Sequence, residues 1–181
     1  MMRVALAPVV ILAAVLVTAA PDVAHAQPPL QRNTWLLSGA LGLALDADAS
    51  PSLTFSGAAA FPLTSDVAIE GEIGHVVDNA PGNANVDSSL TTVHATVLYF
   101  VNTSYVLTPY FAAGLGLGKY SVDVGATSFS QTEVGFNLGA GVTYPLNRST
   151  CFRGDFRYFK HIDDVPSVWR FTGGVSVRIG S

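Results

Sequence analysis

Charge is scarce in this chain of 181 residues: Asp, Glu, Lys and Arg together make up 12% of it, about half the usual share for a soluble domain. A soluble sandwich needs more charge on its outer face, which argues against that class. The one cysteine, Cys151, excludes an internal disulfide, and it lies too far from the N-terminal cleavage region to carry a lipid anchor. A net charge of −4 argues against nucleic acid as a partner. After residue 26 no apolar run reaches the length of a membrane-spanning helix, yet the mean hydropathy is positive.

Residues 1–26 read as a cleaved signal peptide, with Arg3 as the charged start, an apolar stretch from Val4 to Ala20 and a small-x-small site at Ala24-His25-Ala26. Pro8 interrupts the stretch and no stop-transfer charges follow it, which disfavours a membrane anchor. Residues 27–181 are then one exported domain.

What that domain has in abundance is period-two alternation. Trp35, Leu37, Leu41, Leu43 and Leu45 share one face against Leu36, Ser38, Ala40, Gly42 and Ala44. The same parity runs through Leu53, Phe55, Ala59 and Phe61 in the second segment. In the third, outward Val67, Ile69, Ile73 and Val77 force Glu70 and Glu72 inward. Val93, Ala95, Val97 and Tyr99 mark the fourth, where inward Thr92, His94 and Thr96 are joined by Leu98 and Phe100 and the pattern blurs. The fifth sets Phe111, Ala113, Leu115 and Leu117 against Tyr110 and a run of Ala and Gly, and the sixth sets Val134, Phe136, Leu138, Ala140, Val142 and Tyr144 against Glu133, Asn137 and glycines. The seventh puts Arg153, Asp155, Arg157 and His161 inside, and the eighth puts Arg170 and Arg178 inside. Eight segments of about nine to eleven residues, apolar outside and polar inside, predict an all-β, eight-stranded antiparallel up-and-down transmembrane β-barrel.

The connections are expected to alternate. Pro62 to Asp66, Asn102 to Val106 and Leu146 to Thr150 read as tight turns, whereas Asp46 to Pro51, Asp78 to Ser88, Ser121 to Gln131 and Ile162 to Ser167 read as longer loops. Short periplasmic turns and longer external loops would put both termini in the periplasm. On that topology Trp35, Phe61, Tyr99, Tyr144 and Phe152 gather near the periplasmic rim as an aromatic girdle.

The stretches Pro109-Tyr110-Phe111-Ala112-Ala113-Gly114-Leu115-Gly116, Phe136-Asn137-Leu138-Gly139-Ala140-Gly141-Val142 and Asp155-Phe156-Arg157-Tyr158 resemble the small outer-membrane β-barrel family of the OmpA-like eight-stranded kind. The resemblance implies a Gram-negative outer-membrane location and assembly by the outer-membrane machinery. Members commonly end in an aromatic residue; this sequence ends Val177-Arg178-Ile179-Gly180-Ser181, with the last strand still apolar outside. The family includes structural proteins, surface-interaction proteins and a few lipid-modifying enzymes, so resemblance alone assigns no task.

Several side-chain sets carry possible chemistry. Glu70 and Glu72 can meet Arg153, Arg157 and Arg170 across the lumen, with Asp155 beside them, as an ion-paired plug. The small inward residues of segments one, two, five and six are expected to accommodate Arg and Tyr side chains from the opposite wall, the alternative being a watered or ligand-sized pocket. Asp46, Asp48, Asp78, Asp87, Asp123, Asp163 and Asp164 are expected to be solvated loop acids and show no calcium-loop spacing. Outward Lys119 and Lys160 are placed to contact lipid phosphates. His75, with Thr91 across the hairpin, and His161, with Asp163 and Ser167, are the nearest things to a catalytic set; the first has a poor nucleophile and no orienting acid, and in the second His161 faces inward while the others sit in a loop. No second ligand is evident beside inward His94. The expectation is a monomeric, non-enzymatic envelope barrel with no cofactor, metal or catalytic residue, in contact with outer-membrane lipid and lipopolysaccharide. A lipid-A-modifying enzyme, a small pore of porin-like kind and a ligand-binding barrel are the alternatives.

Overall fold

The computed structural model describes residues 33–46, 51–78, 86–103, 105–124, 127–162 and 165–180. The signal peptide 1–26 and the acids Asp48, Asp163 and Asp164 lie outside the described residues, and so do the side chains of Asp78, Asp87 and Asp123. Eight strands follow in order: β1 (Trp35–Leu45), β2 (Pro51–Pro62), β3 (Val67–Asp78), β4 (Val86–Phe100), β5 (Thr108–Val124), β6 (Thr127–Pro145), β7 (Thr150–His161) and β8 (Val168–Ile179). Each pairs antiparallel with its neighbour in sequence and β8 returns to β1, so the sheet closes and has no edge around the barrel.

The alternation is realised strand by strand. Leu41, Leu53, Ile73, Val93, Leu115, Val134, Phe156 and Val175 are exposed on the exterior, while Thr54, Glu70, His94, Thr96, Asn137 and Arg157 are buried inside. The paired residues Leu45, Trp169, Tyr158, Leu138, Ala113, Val97, Ile69 and Phe61 trace one rung around the barrel. That rung ends where the ring of Phe61 meets Trp35 at 5.1 Å, ten residues earlier in β1 than its start at Leu45. Such an offset tilts the strands steeply against the barrel axis.

Three turns at one end are tight and locally satisfied. Thr64 Oγ1 accepts the backbone N–H groups of Asp66 and Val67, and Asn147 Oδ1 accepts those of Ser149 and Thr150. At the other end the expected long loops are partly strand. β5 and β6 pair as far as Val124 opposite Thr127, so the segment Ser121 to Gln131, expected as a loop, is almost wholly ladder. Likewise β4 begins at Val86, inside the expected loop Asp78 to Ser88, whose two ends pair with each other. The reason is backbone pairing, which holds in a ladder the Ser, Asp and Thr residues that mark turns elsewhere. The outer halves of β4, β5 and β6 therefore stand as a blade above the shorter β7, β8, β1 and β2.

The interior is layered. At the tight-turn end Leu36, Ala60, Ala68, Leu98, Phe100, Tyr110 and Ala112 form an apolar floor. At the blade end Ala44, Val76, Leu90, Phe159, Val165 and Val168 form an apolar ceiling, with Tyr120 packed against it. The blurred alternation at the end of β4 is explained by the floor: Leu98 and Phe100 point inward to build it.

Candidate functional site in the barrel lumen

Between floor and ceiling the lumen holds three guanidinium and three carboxylate groups. Arg153 donates to both oxygens of Glu70 and, through Nε, to Asp155 Oδ2 at 2.6 Å. Arg157 donates to Glu70 Oε1 at 2.8 Å and to Asp155 Oδ1 at 2.9 Å, and its Nη1 lies 3.7 Å from Glu72. Arg170 closes the set on Glu72. The carboxylates of Glu70 and Glu72 come from β3, and the cations come from β7 and β8, so the pairs join opposite walls. Glu70 and Arg157 are both 0% exposed. Charges this deep persist only when neutralised and hydrogen-bonded, since an unpaired one costs several kcal/mol or more. Tyr110 adds its hydroxyl, which accepts from Arg153 Nε at 2.8 Å.

Toward the ceiling sits a second polar layer. Asn137 Nδ2 lies 3.1 Å from both His94 Nδ1 and Thr96 Oγ1, and His161 Nδ1 donates to the carbonyl of Pro166 at 3.1 Å. The ring of His94 lies 6.3 Å from that of His161 and edge-on to Phe159 at 4.9 Å. The expectation that His94 has no histidine beside it is thereby corrected: β4 and β7 are not sequence neighbours, and the two rings meet by reaching over the intervening β5 and β6. Among the described residues no group of three or more His, Cys, Asp and Glu side chains is arranged to hold a metal ion.

The small residues of β5 and β6 are what make this reach possible. A Cβ on Gly118 would sit 2.3 Å from His161 Nε2, one on Gly116 2.5 Å from His94 Nδ1, and one on Gly141 2.3 Å from the Tyr110 ring. On Gly139 it would meet Arg157 Cγ at 2.7 Å. The side chains over these glycines come from adjacent and next-nearest strands, not from the opposite wall as the sequence reading expected. On the β1–β2 side, the cavity bounded by Ser38, Ala40, Ser56, Ala58, Glu72, Arg153 and Asp155 holds about 10 Å³. That is room for one water and far too little for a ligand.

On the exterior, Trp35, Tyr99 and Phe152 are exposed and Phe61 and Tyr144 half-buried, all at the tight-turn end. Lys119 and Lys160 are exposed toward the blade end. Outward His75 bonds Thr91 Oγ1 through Nδ1 at 2.9 Å, and among the described residues no carboxylate is recorded bonding to the pair.

A closed barrel with an apolar exterior and a polar, filled lumen is a transmembrane β-barrel, the one sheet architecture that satisfies every backbone group inside a bilayer. Residues 10–178 match the family described as outer membrane protein beta-barrel domain, and the chain belongs to it. That membership points to the bacterial outer membrane. No curated protein matches the sequence. Among solved structures the chain is similar to Neisserial surface protein A, at 21% identity and a TM-score of 0.66 over 80% of this chain and 95% of that one. The N-terminal β-barrel domain of Pseudomonas aeruginosa OprF aligns at 20% identity and a TM-score of 0.63, over 82% and 98% respectively. Ail, the attachment invasion locus protein of Yersinia pestis, aligns at 15% and 0.58, over 82% and 100%. Likeness at these identities speaks to the fold.

Proposed function

We infer that this chain is a closed, non-conducting and non-catalytic barrel that serves the cell envelope as a structural or surface-interaction element. The observation that carries the reading is the filled lumen, where a balanced ion-pair network lies between an apolar floor and an apolar ceiling and the cavity beside Glu72 holds about 10 Å³. Water and ions would have to break the network to pass. Among the described residues no acid orients the exterior His75–Thr91 pair, which favours a non-enzymatic role over lipid modification. The tight turns and both termini lie on the periplasmic side in this reading, and the β4–β6 blade projects outside. Within the membrane the closed sheet exposes no edge, consistent with a monomer bathed in outer-membrane lipid, whose assembly machinery would engage the apolar outer face of β8. The test is single-channel recording of the refolded protein in a planar bilayer. A silent wild type is expected; steady conductance from the intact network would defeat the reading.

A further inference from the structure

Tracing the exterior by rungs reveals where the apolar band stops. Ile73, Val93, Leu117 and Val134 pair across β3, β4, β5 and β6 as one wholly apolar rung. The next rung toward the blade reads Phe55, His75, Thr91, Lys119 and Thr132, and above it Ser89, Ser121 and Ser130 are paired. On β1, β2 and β8 the exterior stays apolar to the strand ends, at Leu45, Leu53 and Trp169. The polar boundary is thus one-sided, and it carries a cation and an imidazole with no carboxylate on its own rung or on the apolar rung below it.

The three groups have complementary chemistry. His75 Nδ1 and Thr91 Oγ1 are 2.9 Å apart and share one proton between them. If the threonine donates, His75 Nε2–H is left as a donor. If the imidazole donates, the Thr91 hydroxyl keeps its own hydrogen for another acceptor. Either way the pair offers a further donor beside the Lys119 ammonium, which is Thr91's register partner on β5. The Phe55 ring, 5.2 Å from that of His75, walls one side. Among the described residues Lys119 has no ion-pair partner. A phosphate monoester fits this set: it accepts hydrogen bonds from several donors at once and its charge balances the lysine.

We propose that His75, Thr91 and Lys119 form a phosphate-binding site on the lipid-facing wall, and that its occupant is the phosphorylated headgroup of a saccharolipid in the outer leaflet. The proposal rests on the topology given above, which puts the blade end outside. Occupancy anchors lipid to the β3–β5 wall rather than evenly around the barrel.

The experiment is native mass spectrometry of the refolded mature chain from mixed micelles holding diphosphoryl lipid A and phosphatidylglycerol, repeated with dephosphorylated lipid A. The wild type should retain diphosphoryl lipid A over both others. Lys119→Ala, and separately the double change His75→Phe with Thr91→Val, should each cut retention roughly tenfold or more, as expected for losing a hydrogen bond to a charged group. Arg148→Ala, which removes an equal charge from the exposed turn at the opposite end of the barrel, should change it less than twofold. Equal losses from Lys119→Ala and Arg148→Ala would reduce the effect to bulk charge and overturn the site. Retention of phosphatidylglycerol as strongly as lipid A would overturn the assignment to an outer-leaflet lipid. Either result leaves bilayer silence unchanged, so failure here is separable from failure of the closed-barrel reading.

Discussion

Neutralising Glu70 should be the most damaging single conservative change in the lumen. Glu70→Gln keeps the side chain's shape but leaves three guanidinium groups facing two carboxylates, and Arg153 and Arg157 then share Asp155, with Glu72 a more distant anion 3.7 Å from Arg157. At 0% exposure Glu70 gives no route for water to replace the lost charge. Removing one member of a buried pair costs ~3–5 kcal/mol. Glu72→Gln should cost less, ~1.5–3 kcal/mol, the worth of a hydrogen bond to a charged group. Its hydrogen bond is to Arg170 alone, Arg157 lies 3.7 Å away, and the one-water cavity adjoins it. The assay is denaturant unfolding of the protein in lipid vesicles, followed by the fluorescence of Trp35 and Trp169, both of which face outward. A shifted midpoint with an unchanged slope isolates the stability term. If both substitutions cost under ~1 kcal/mol and cost the same, the pairs behave like solvent-screened surface pairs and the sealed-lumen argument is wrong.

Strand glycines should respond differently according to their face. Gly39→Ala, where a Cβ meets nothing within 4 Å, should be nearly silent, whereas Gly118→Ala, which drives a methyl into the His161 ring, should lower the unfolding midpoint in the same vesicle assay by an amount equivalent to ~1–3 kcal/mol. Leu115→Arg, on the lipid-facing wall and 68% exposed, should cost ~2–4 kcal/mol in a bilayer. Phe129→Arg on the blade, 65% exposed, should be nearly neutral despite equal exposure; comparable losses in unfolding free energy would contradict the placement of the blade outside the membrane. Shortening the β5–β6 hairpin by deleting residues 122–129 should leave heat-resistant migration on a gel intact, because nothing in the ion-pair network comes from that segment.

The barrel was legible because a two-residue period is a property of the sequence itself: once one residue of β3 is placed outside, Glu70 and Glu72 have no choice of face. Which charges would meet was also accessible, since strand order around an up-and-down barrel follows chain order. Reach was not legible. His161 crosses two strands to approach His94, and only the clearances above Gly116, Gly118 and Gly135 reveal that glycine there marks an occupied space rather than a vacant one. Composition also misled at Ser121 to Gln131, where turn-forming residues sit in a ladder. Val165 read as part of an acidic loop, yet it is 3% exposed in the ceiling, its N–H donating to Glu133 Oε2 at 3.2 Å.

The lumen network bears on how the barrel is made. Its bonds join residues 83, 87 and 98 positions apart, from β3 to β7 and β8. A chain whose first hairpins have inserted but whose last two strands have not would hold two carboxylates with no counter-charge, in a half-formed sheet already facing lipid. Such an intermediate is penalised until β7 and β8 arrive, and the penalty disappears only as the final seam between β8 and β1 forms. Charge balance thereby couples the two halves of the sequence, since the carboxylates of β3 find their counter-charges only once β7 and β8 are in place.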